Sequence, residues 1–198
     1  MIFFSAILRA LYRWAGAVIN FLRILHLRLL YPGLHISFSS TIENNCTIRC
    51  IIGGKLHIQN SFISFGTQII ADENAIISID NSFVGRNCVI SAKEAVVIKK
   101  GCLLAEMVVI RDQDHQVEIT AGHQPREFFN VAPIEIQQNV WIASKATVLK
   151  GVTIGKFSVV AASAVINQSV PAYEVWGGIP GKCIKKIVPP PENSDIKF

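Results

Sequence analysis

The chain has 198 residues, of which 51% are hydrophobic and 17% are charged, and its formal net charge at pH 7 is +5. This length suits one domain with a substantial core. Lys and Arg lie mostly towards the two ends, and no basic stripe with interleaved aromatic residues runs through the middle, so nucleic acid is excluded as an expected partner. The five cysteines form no CxxC pair and show no metal-ligand spacing, which predicts buried thiols in a reducing cytoplasm and no metal.

The N-terminal segment, residues 2–30, has the composition of a helix. On a helix Arg9, Arg13 and Arg23 share one sector, whereas Phe, Trp and Leu cover most of the remaining surface. The longest uncharged stretch, residues 14–22, is too short for a membrane span of about 20 residues, and no signal-peptide cleavage site follows. Two compatible predictions remain. The helix lies in the interface of an anionic membrane, or it packs on the rest of the protein or across a trimer interface.

From residue 36 to residue 110 aliphatic residues recur at intervals of six, but the phase drifts. The residues that keep a six-residue phase are Ile42 and Ile48, then Val84, Ile90 and Val96, and finally Ile98, Leu104 and Ile110. Gly53-Gly54-Lys55 shifts the register after the first of these groups. Asn81, Asn87 and Gly101 are turn residues, and they predict corners where a positive φ is needed.

A polar segment, residues 112–132, then interrupts the repeat and contains His115 and His123. A loop of this length within a regular repeat is uncommon unless it is functional. Insertions into repeat folds also gather on one face, often the binding face. We therefore expect site residues in this loop.

Residues 136–171 repeat with a strict period of six. An aliphatic residue opens each unit (Ile136, Ile142, Val148, Ile154, Val160, Ile166), and a small or β-branched residue follows four positions later (Val140, Ala146, Val152, Ser158, Ala164, Val170). Neither a helix nor simple strand alternation has this period. It predicts a chain that turns a corner every six residues, so that three units close one coil of a parallel β-helix. Stacked coils then bury a continuous column of Ile and Val.

The repeat resembles that of the hexapeptide-repeat transferases, left-handed β-helix trimers that mostly carry acyl groups from a coenzyme A thioester to a sugar hydroxyl or amine. Two further segments carry the resemblance. Gly177-Gly-Ile-Pro-Gly-Lys182 is similar to the family's Gly-Asn-Pro-Ala-Lys closing motif, and Ile110-Arg-Asp-Gln-Asp-His115 is similar to the Ile-Arg-x-x-Asp-x-His segment of one large subgroup. The resemblance implies an all-β fold, a left-handed parallel β-helix, assembled as a homotrimer that uses acetyl-CoA.

The predicted organisation has three parts. The N-terminal amphipathic helix occupies residues 1–33, and the β-helix acyltransferase domain occupies residues 34–171, including the loop at 112–132. A closing segment with a solvated tail occupies residues 172–198.

The predicted catalytic residue is His115. Acyl transfer to a hydroxyl needs a general base near neutral pH, and imidazole is matched to that task. The resemblance carries the family's catalytic histidine to His115, whereas no family motif matches its rival, His123. The sequence has no Ser-centred elbow and no Cys–His arrangement, so we expect direct transfer in a ternary complex, with backbone N–H groups around the oxyanion.

Four residues are expected to contact the substrate. Asp112 and Asp114 lie beside His115 and are expected to orient its imidazole or to hold sugar hydroxyls. The resemblance adds Arg126 and Asn130.

The resemblance also implies a binding wall for coenzyme A. Its small or flat residues are Trp141, Ala143, Ser144 and Ala162, and its basic residues, expected to meet the nucleotide phosphates, are Lys182 and Lys185. Several residues depart from the family pattern. Ile179 stands where Asn is usual and Gly181 where Ala is usual, Asn167-Gln168 replaces a common Thr-Lys pair, and Ala143 and Ala161 replace common glycines.

Together these observations predict an acetyl-CoA-dependent O-acetyltransferase. Its acceptor is a sugar of a cell-surface polysaccharide or of its lipid-linked precursor, and its location is the cytoplasm or the inner face of the cell membrane. An amino-sugar N-acetyltransferase and a serine acetyltransferase are alternatives within the same class. A non-catalytic trimeric β-helix scaffold is the alternative from another class, although the long His-containing loop argues against it.

Overall fold

A computed structural model describes residues 2–116 and 128–189, with side chains from Leu11 onwards. One helix, α1 (Ile2–Leu30), precedes six three-stranded coils. Coils 1 to 3 comprise β1 (Leu34–Ile36), β2 (Thr41–Ile42), β3 (Thr47–Cys50), β4 (Lys55–Gln59), β5 (Phe62–Ile63), β6 (Gln68–Ala71), β7 (Ile76–Asp80), β8 (Phe83–Val84) and β9 (Val89–Ala92). Coil 4 comprises β10 (Ala95–Ile98), β11 (Leu103–Leu104) and β12 (Val109–Arg111), and a hairpin of β13 (Gln113–His115) and β14 (Phe129–Val131) follows it.

Coils 5 and 6 comprise β15 (Ile134–Ile136), β16 (Trp141–Ile142), β17 (Thr147–Val148), β18 (Thr153–Ile154), β19 (Val159–Val160) and β20 (Val165–Ile166). The last strands are β21 (Glu174–Gly177) and β22 (Lys182–Lys186). Equivalent strands of successive coils pair in parallel and form three sheets. Sheet 1 is β1-β4-β7-β10-β15-β18, sheet 2 is β2-β5-β8-β11-β16-β19-β21-β22, and sheet 3 is β3-β6-β9-β12-β17-β20. The predicted parallel β-helix is therefore confirmed.

The strict six-residue repeat forms coils 5 and 6. Ile136 pairs with Ile154, 18 residues further on, and Ile142 pairs with Val160 at the same separation. All twelve residues predicted to point inward are buried: Ile136, Val140, Ile142, Ala146, Val148, Val152, Ile154, Ser158, Val160, Ala164, Ile166 and Val170. Three six-residue units thus close one coil, as predicted.

The phase drift in the first four coils arises from longer strands. On sheet 2, Ile42 pairs with Ile63 and Ile63 with Val84, both 21 residues apart, whereas Val84 pairs with Leu104, 20 residues further on. β4 has five residues and points both Leu56 and Ile58 into the core. Extra inward residues of this kind on sheets 1 and 3 shift the six-residue phase, while the sheet 2 strands of these coils stay two residues long and the stacking continues.

Corner positions carry the residues that tolerate positive φ. Asn81, Asn87 and Gly101 have φ of 40°, 54° and 77°, as their turn-forming character predicts. Corners stack on one another as the strands do, and a Cβ at Gly101 would clash with the Asn139 side chain in the next coil. This position therefore needs glycine for both its φ and its space.

Helix α1 lies across coil 1 and contacts β1 and β2. Ile24 is fully buried, and Asn20 both donates to the Ser40 carbonyl (2.8 Å) and accepts from the Ile42 N–H (2.9 Å). Arg23 donates to the Ile42 carbonyl and to Asn44 Oδ1, so this arginine faces the protein. The predicted packing of the helix on the β-helix is confirmed, and membrane contact stays a prediction. Within the described residues, no helix combines the length and the apolar character needed to cross a membrane.

The chain closes on the last coil. β21 runs parallel to β19, and β22 then reverses and pairs antiparallel with β21. The Trp176 indole N–H donates to Glu174 Oε2 (2.7 Å) beneath these strands. Cys88 and Cys102 are buried in the column as predicted, and burial raises the pKa of each thiol to about 11. Cys183 is exposed on β22, so the prediction of a buried thiol is wrong for that residue.

Candidate active site

The hairpin between coils 4 and 5 starts at a buried carboxylate, Asp112. Its side chain has no exposed surface, and its two oxygens accept hydrogen bonds from the N–H groups of Lys93 (2.8 Å) and Glu94 (2.7 Å). Burial raises the pKa of the Asp112 carboxyl, while these backbone hydrogen bonds oppose the shift. The expectation that Asp112 holds sugar or orients the imidazole does not fit this placement, because neither oxygen is free. Asp112 instead anchors the hairpin to coil 3.

His115 ends β13 and lies opposite Phe129 of β14. The centroids of the two rings are 4.3 Å apart. The Lys93 ammonium, which follows β9, lies 4.2 Å from the centroid of the Phe129 ring. Gln113 also ties the hairpin to coil 3, because its Nε2 donates to Ser91 Oγ (3.1 Å). The Phe129 ring therefore packs against the His115 imidazole. His115 is also exposed, so its imidazole remains open to a ligand.

Asp114 and Asn130 form the next cross-strand pair. Lys150 reaches Asp114 from coil 5, with Nζ 2.7 Å from Oδ2. The hydrogen bond from Lys150 is the largest cause that lowers the pKa of the Asp114 carboxyl, and the Asn130 side chain and the nearby His115 contribute less. The structure thus brings together three predicted site residues, Asp114, His115 and Asn130.

Sequence reasoning missed Lys150. The residue lies 36 positions after Asp114, and the only local signal was a basic residue before Gly151 at a predicted corner. Two residues singled out from the sequence, Arg126 and His123, lie outside the described residues. Among the residues that the structure describes, no cluster of three or more His, Cys, Asp or Glu side chains is arranged to hold a metal ion.

A second candidate region is a groove along sheet 2. Its cavity has a volume of about 670 Å³ and is lined mainly by apolar residues, including Phe62, Phe83, Leu103 and Trp141. These four side chains stand on one cross-strand ladder, each on the strand next to the previous one. Trp141 is 51% exposed despite its size, so the ring forms an open wall of this groove.

Beside the groove, the corner between sheets 2 and 3 carries Ala143, Ser144 and Ala162. The Ala143 N–H is used within the β-helix, because it donates to the Val160 carbonyl (2.9 Å). In contrast, the N–H groups of Ser144 and Ala162 form no hydrogen bond with any described residue. Ser144 and Ala162 occupy equivalent positions in successive coils, so two free donors lie one coil apart. A thin arm that carries amide carbonyls fits this corner.

The predicted basic residues continue the same edge. Lys185 pairs with Val175, which pairs with Val159 and through it with Trp141. Lys185 is therefore three strand spacings, about 14 Å, from Trp141 along sheet 2. Lys182 pairs with Gly177 nearer the corner, and both lysines are exposed. The groove and Lys185 share one ladder of sheet 2, and the two free amides lie at the neighbouring corner, so this surface suits an elongated ligand with an anionic end.

The closing motif departs from the family pattern for a local reason. A Cβ at Gly181 would lie 2.5 Å from Ile166 Cδ1, so an alanine there would require the end of this core side chain of coil 6 to move. Ile179, in place of the usual Asn, is largely exposed and leaves the closing turn without an amide side chain.

The hairpin and the wall stand on different corners of one chain. Asp112 follows β12 of sheet 3, and the hairpin contacts Lys93 and Lys150, which lie where the chain passes from sheet 3 to sheet 1. Ala143, Ser144 and Ala162 lie where it passes from sheet 2 to sheet 3. A single chain therefore does not bring His115 against the predicted coenzyme wall.

Comparison with known proteins identifies the family. Over 159 residues the chain is 32% identical to the "putative lipopolysaccharide biosynthesis O-acetyl transferase WbbJ" of Escherichia coli K12. The aligned region covers 72% of this chain and 80% of WbbJ. This chain belongs to the hexapeptide-repeat acetyltransferase family. It spans about half the length of three further curated relatives named as acetyltransferases, from Saccharomyces cerevisiae, Schizosaccharomyces pombe and Mycobacterium tuberculosis. No protein-family model matches the chain.

Solved structures support the same fold. The polysialic acid O-acetyltransferase OatWY superposes with a TM-score of 0.65 at 24% identity, covering 83% of this chain and 90% of OatWY. The hexapeptide-repeat acetyltransferase VCA0836 of Vibrio cholerae, complexed with acetyl coenzyme A, superposes with a TM-score of 0.56 at 24% identity, covering 70% and 73% of the two chains. At these identities the likeness concerns the fold.

Proposed function

We propose that this protein is an acetyl-CoA-dependent O-acetyltransferase whose acceptor is a sugar hydroxyl of a surface polysaccharide or of its lipid-linked precursor. The observation that carries the proposal is the hairpin of His115, Asp114 and Asn130, which projects from a β-helix of the acetyltransferase family. The names of WbbJ and OatWY, which concern lipopolysaccharide and polysialic acid, support a polymeric sugar as the acceptor.

The hairpin suits proton transfer from the acceptor. His115 takes the proton of the sugar hydroxyl as its oxygen attacks the thioester carbonyl, so that the new ester C–O bond forms and the C–S bond breaks. The imidazolium then returns the proton to the departing thiolate, which leaves as the free thiol of coenzyme A. Phe129 limits rotation of the imidazole, and Asp114 with Asn130 offers polar contacts to neighbouring hydroxyls.

The wall along sheet 2 suits coenzyme A, which supplies the activated acetyl group as a thioester. The free N–H groups of Ser144 and Ala162 would pair with the amide carbonyls of the pantetheine arm. Trp141 would cover the reactive end of the arm, and Lys182 and Lys185 would meet the phosphates. The order of these groups along the edge fits the order of the chemical groups in the ligand.

The separation of the two corners supports a homotrimer as the active form. In a cyclic trimer the interface is heterologous, so one corner of each chain meets a different corner of its neighbour. His115 of one subunit would then face the wall of the next, and each trimer would contain three complete sites. The active site in this proposal belongs to a pair of subunits.

We further propose that the enzyme is peripheral on the inner face of the cell membrane. Helix α1 exposes Leu11, Trp14, Val18 and Leu22, and Trp14 is 70% exposed. An exposed apolar helix face with arginines beside it is typical of helices that lie in a membrane interface. This position would bring the site close to a lipid-linked acceptor.

The proposed activity is tested by incubating the protein with acetyl-CoA and a thiol reagent, with and without candidate acceptors. Slow release of coenzyme A that a sugar or oligosaccharide stimulates would support the O-acetyltransferase, whereas stimulation by serine or an amino sugar alone would replace it. A protein that binds no coenzyme A would be a scaffold. Mass spectrometry of the surface glycan from a strain lacking the protein then identifies the acceptor.

A further inference from the structure

A second groove lies far from the hairpin, between helix α1 and the first three coils. Its volume is about 600 Å³. One wall is a single face of the helix that includes Tyr12, Gly16 and Ile19, and the other wall is formed where sheet 2 turns into sheet 3 in coils 1 to 3. None of the residues in this groove belongs to the candidate active site.

The polar end of the groove has an excess of positive charge. Arg23 and Arg86 line it together with one carboxylate, Glu43. The Glu43 oxygen Oε2 accepts from Ser64 Oγ and from the Phe65 N–H, both at 2.8 Å, and these hydrogen bonds lower the pKa of Glu43. Within the described part of the chain, the Arg86 guanidinium donates no hydrogen bond and forms no salt bridge. Its donors are available to an anion.

The rest of the groove is apolar and opens towards the exposed surface of the helix. Tyr12, which is 85% exposed, lines it with Ile19 and Phe65, and all three leave much of their side chains uncovered. The helix surface beyond this opening carries further exposed apolar residues. A ligand that matches both ends has an anionic head and an apolar chain.

We propose that this groove binds the phosphate headgroup of an anionic membrane lipid. Arg86 meets the phosphate, and Arg23, which keeps its hydrogen bonds to Ile42 and Asn44, adds positive charge beside it. Tyr12, Ile19 and Phe65 contact the first part of the acyl chains. The inference rests on the proposed membrane association and is independent of the acetyl-transfer chemistry. It adds a defined headgroup site to what would otherwise be a general attraction of the helix to the bilayer.

The test is flotation of the full-length protein with phosphatidylglycerol–phosphatidylcholine vesicles and with phosphatidylcholine vesicles. Arg86→Ala is expected to lower partition to the anionic vesicles about fivefold, the effect of one cationic side chain at an anionic surface. Gly16→Leu changes no charge, and because a Cβ at Gly16 meets nothing within 4 Å, the added side chain would occupy the groove and reduce partition by a similar factor.

Two matched variants serve as controls. Arg49→Ala removes an exposed arginine of coil 1 that lies on sheet 3 outside the groove, and Gly16→Ala leaves the groove open. Both are expected to float nearly as the unaltered protein does. Thermal unfolding and acetylation of a soluble acceptor are measured for every variant, so a failure of folding or of the proposed enzyme activity is distinguished from a failure of lipid binding.

Several results would overturn the proposal. If Arg86→Ala and Arg49→Ala lowered vesicle partition equally and Gly16→Leu floated normally, the protein would be held by a general attraction of its positive charge to the anionic surface. Binding of inorganic phosphate without vesicles, lost in Arg86→Ala, would assign the groove to a free anion. Dissociation of the oligomer by Gly16→Leu in sedimentation velocity would assign it to a second copy of the chain. An unaltered protein that never floats would remove the lipid altogether.

Discussion

The two functional edges of the β-helix differ in what holds them together. The hairpin edge is polar: Asp112 binds backbone N–H groups, and Asp114 pairs with Lys150. The sheet 2 edge is apolar and regular, with one residue of each coil on a single ladder up to Lys185. The first edge interrupts the repeat and the second continues it. In the proposed function, the regular fold would supply the binding wall directly, whereas the chemistry would need an insertion with its own anchors.

The largest expected effect separates chemistry from binding. His115→Ala should lower turnover about 10²–10⁴-fold, because it removes the general base. Affinity for coenzyme A should stay nearly unchanged, since the imidazole acts on the acceptor. Steady-state kinetics and calorimetric titration with coenzyme A measure the two quantities. His35→Ala, a variant of an exposed histidine on sheet 1, is the control and should behave as the unaltered protein.

The contrary result concerns the second histidine of the same segment. If His115→Ala kept near-normal turnover and His123→Ala lost it, the base would be His123 and the hairpin would position the acceptor only.

A mixed assembly tests whether the two edges act across subunits. His115→Ala removes the base and Ala162→Trp blocks the wall, so each variant alone should be inactive. Coexpression of the two variants should restore about one quarter of the unaltered rate. In a ring that assembles at random through heterologous contacts, about one interface in four joins an intact hairpin to an intact wall. No recovery in purified hybrids would mean that both edges serve one chain.

The anchor of the hairpin is tested by Asp112→Ala. The variant removes the acceptors of the partly buried N–H groups of Lys93 and Glu94, at a cost of about 1 kcal/mol for each lost hydrogen bond. Hydrogen exchange at residues 128–131 should accelerate while the coils stay protected. Asp112→Asn keeps one carbonyl oxygen at the same place and should lose less. Unchanged exchange in Asp112→Ala would show that Gln113 and Phe129 hold the hairpin.

The phosphate end of the wall is tested by Lys182→Ala. Affinity for coenzyme A should fall about tenfold, the loss expected for one charged hydrogen bond. Dephospho-coenzyme A should be affected less if the ammonium meets the 3′-phosphate. Lys55→Ala, on sheet 1, is the charge-matched control. Equal weakening of both ligands would move Lys182 to the pyrophosphate.

The smallest effect concerns the ion pair beside the base. In Lys150→Ala the pKa of Asp114 should rise back towards its ordinary value of 3.8, because the main cause of its lowering is gone. A carboxylate with a lowered pKa stabilises the folded chain above its ordinary pKa, and this contribution is lost as pH falls through the lowered value. NMR titration of the Asp114 carboxyl measures the shift. Lys99→Ala breaks the Lys99–Glu135 pair on sheet 1 and should leave Asp114 unchanged.

The sequence predicted the column of coils because its period is a local property. Each inward residue from Ile136 to Val170 could be identified from its spacing alone, and the corner residues Asn81 and Gly101 from their tolerance of positive φ. The extent of α1 followed from the helix-forming composition of residues 2–30. These features depend only on neighbours within a few residues.

The candidate site was less predictable because its contacts join distant segments. Asp114 and Lys150 lie 36 residues apart, and no local pattern pairs them. For Asp112 a signal was present and missed: Ile110 is buried and Arg111 exposed, so continued alternation places Asp112 inward. Asp112 was predicted to contact a ligand because it begins a polar loop. Its side chain instead points inward, as the alternation of the preceding strand requires.

The closure of the last coil has a consequence for assembly. A stack of parallel strands offers its terminal backbone groups as a template, and another chain could continue the stack indefinitely. Here β22 reverses direction against β21, and it carries Lys182, Lys185 and Lys186 on an exposed strand. A further coil arriving in the parallel direction would find the wrong hydrogen-bond pattern and a row of like charges. The sheet 2 end of the column is thereby closed to a further parallel coil.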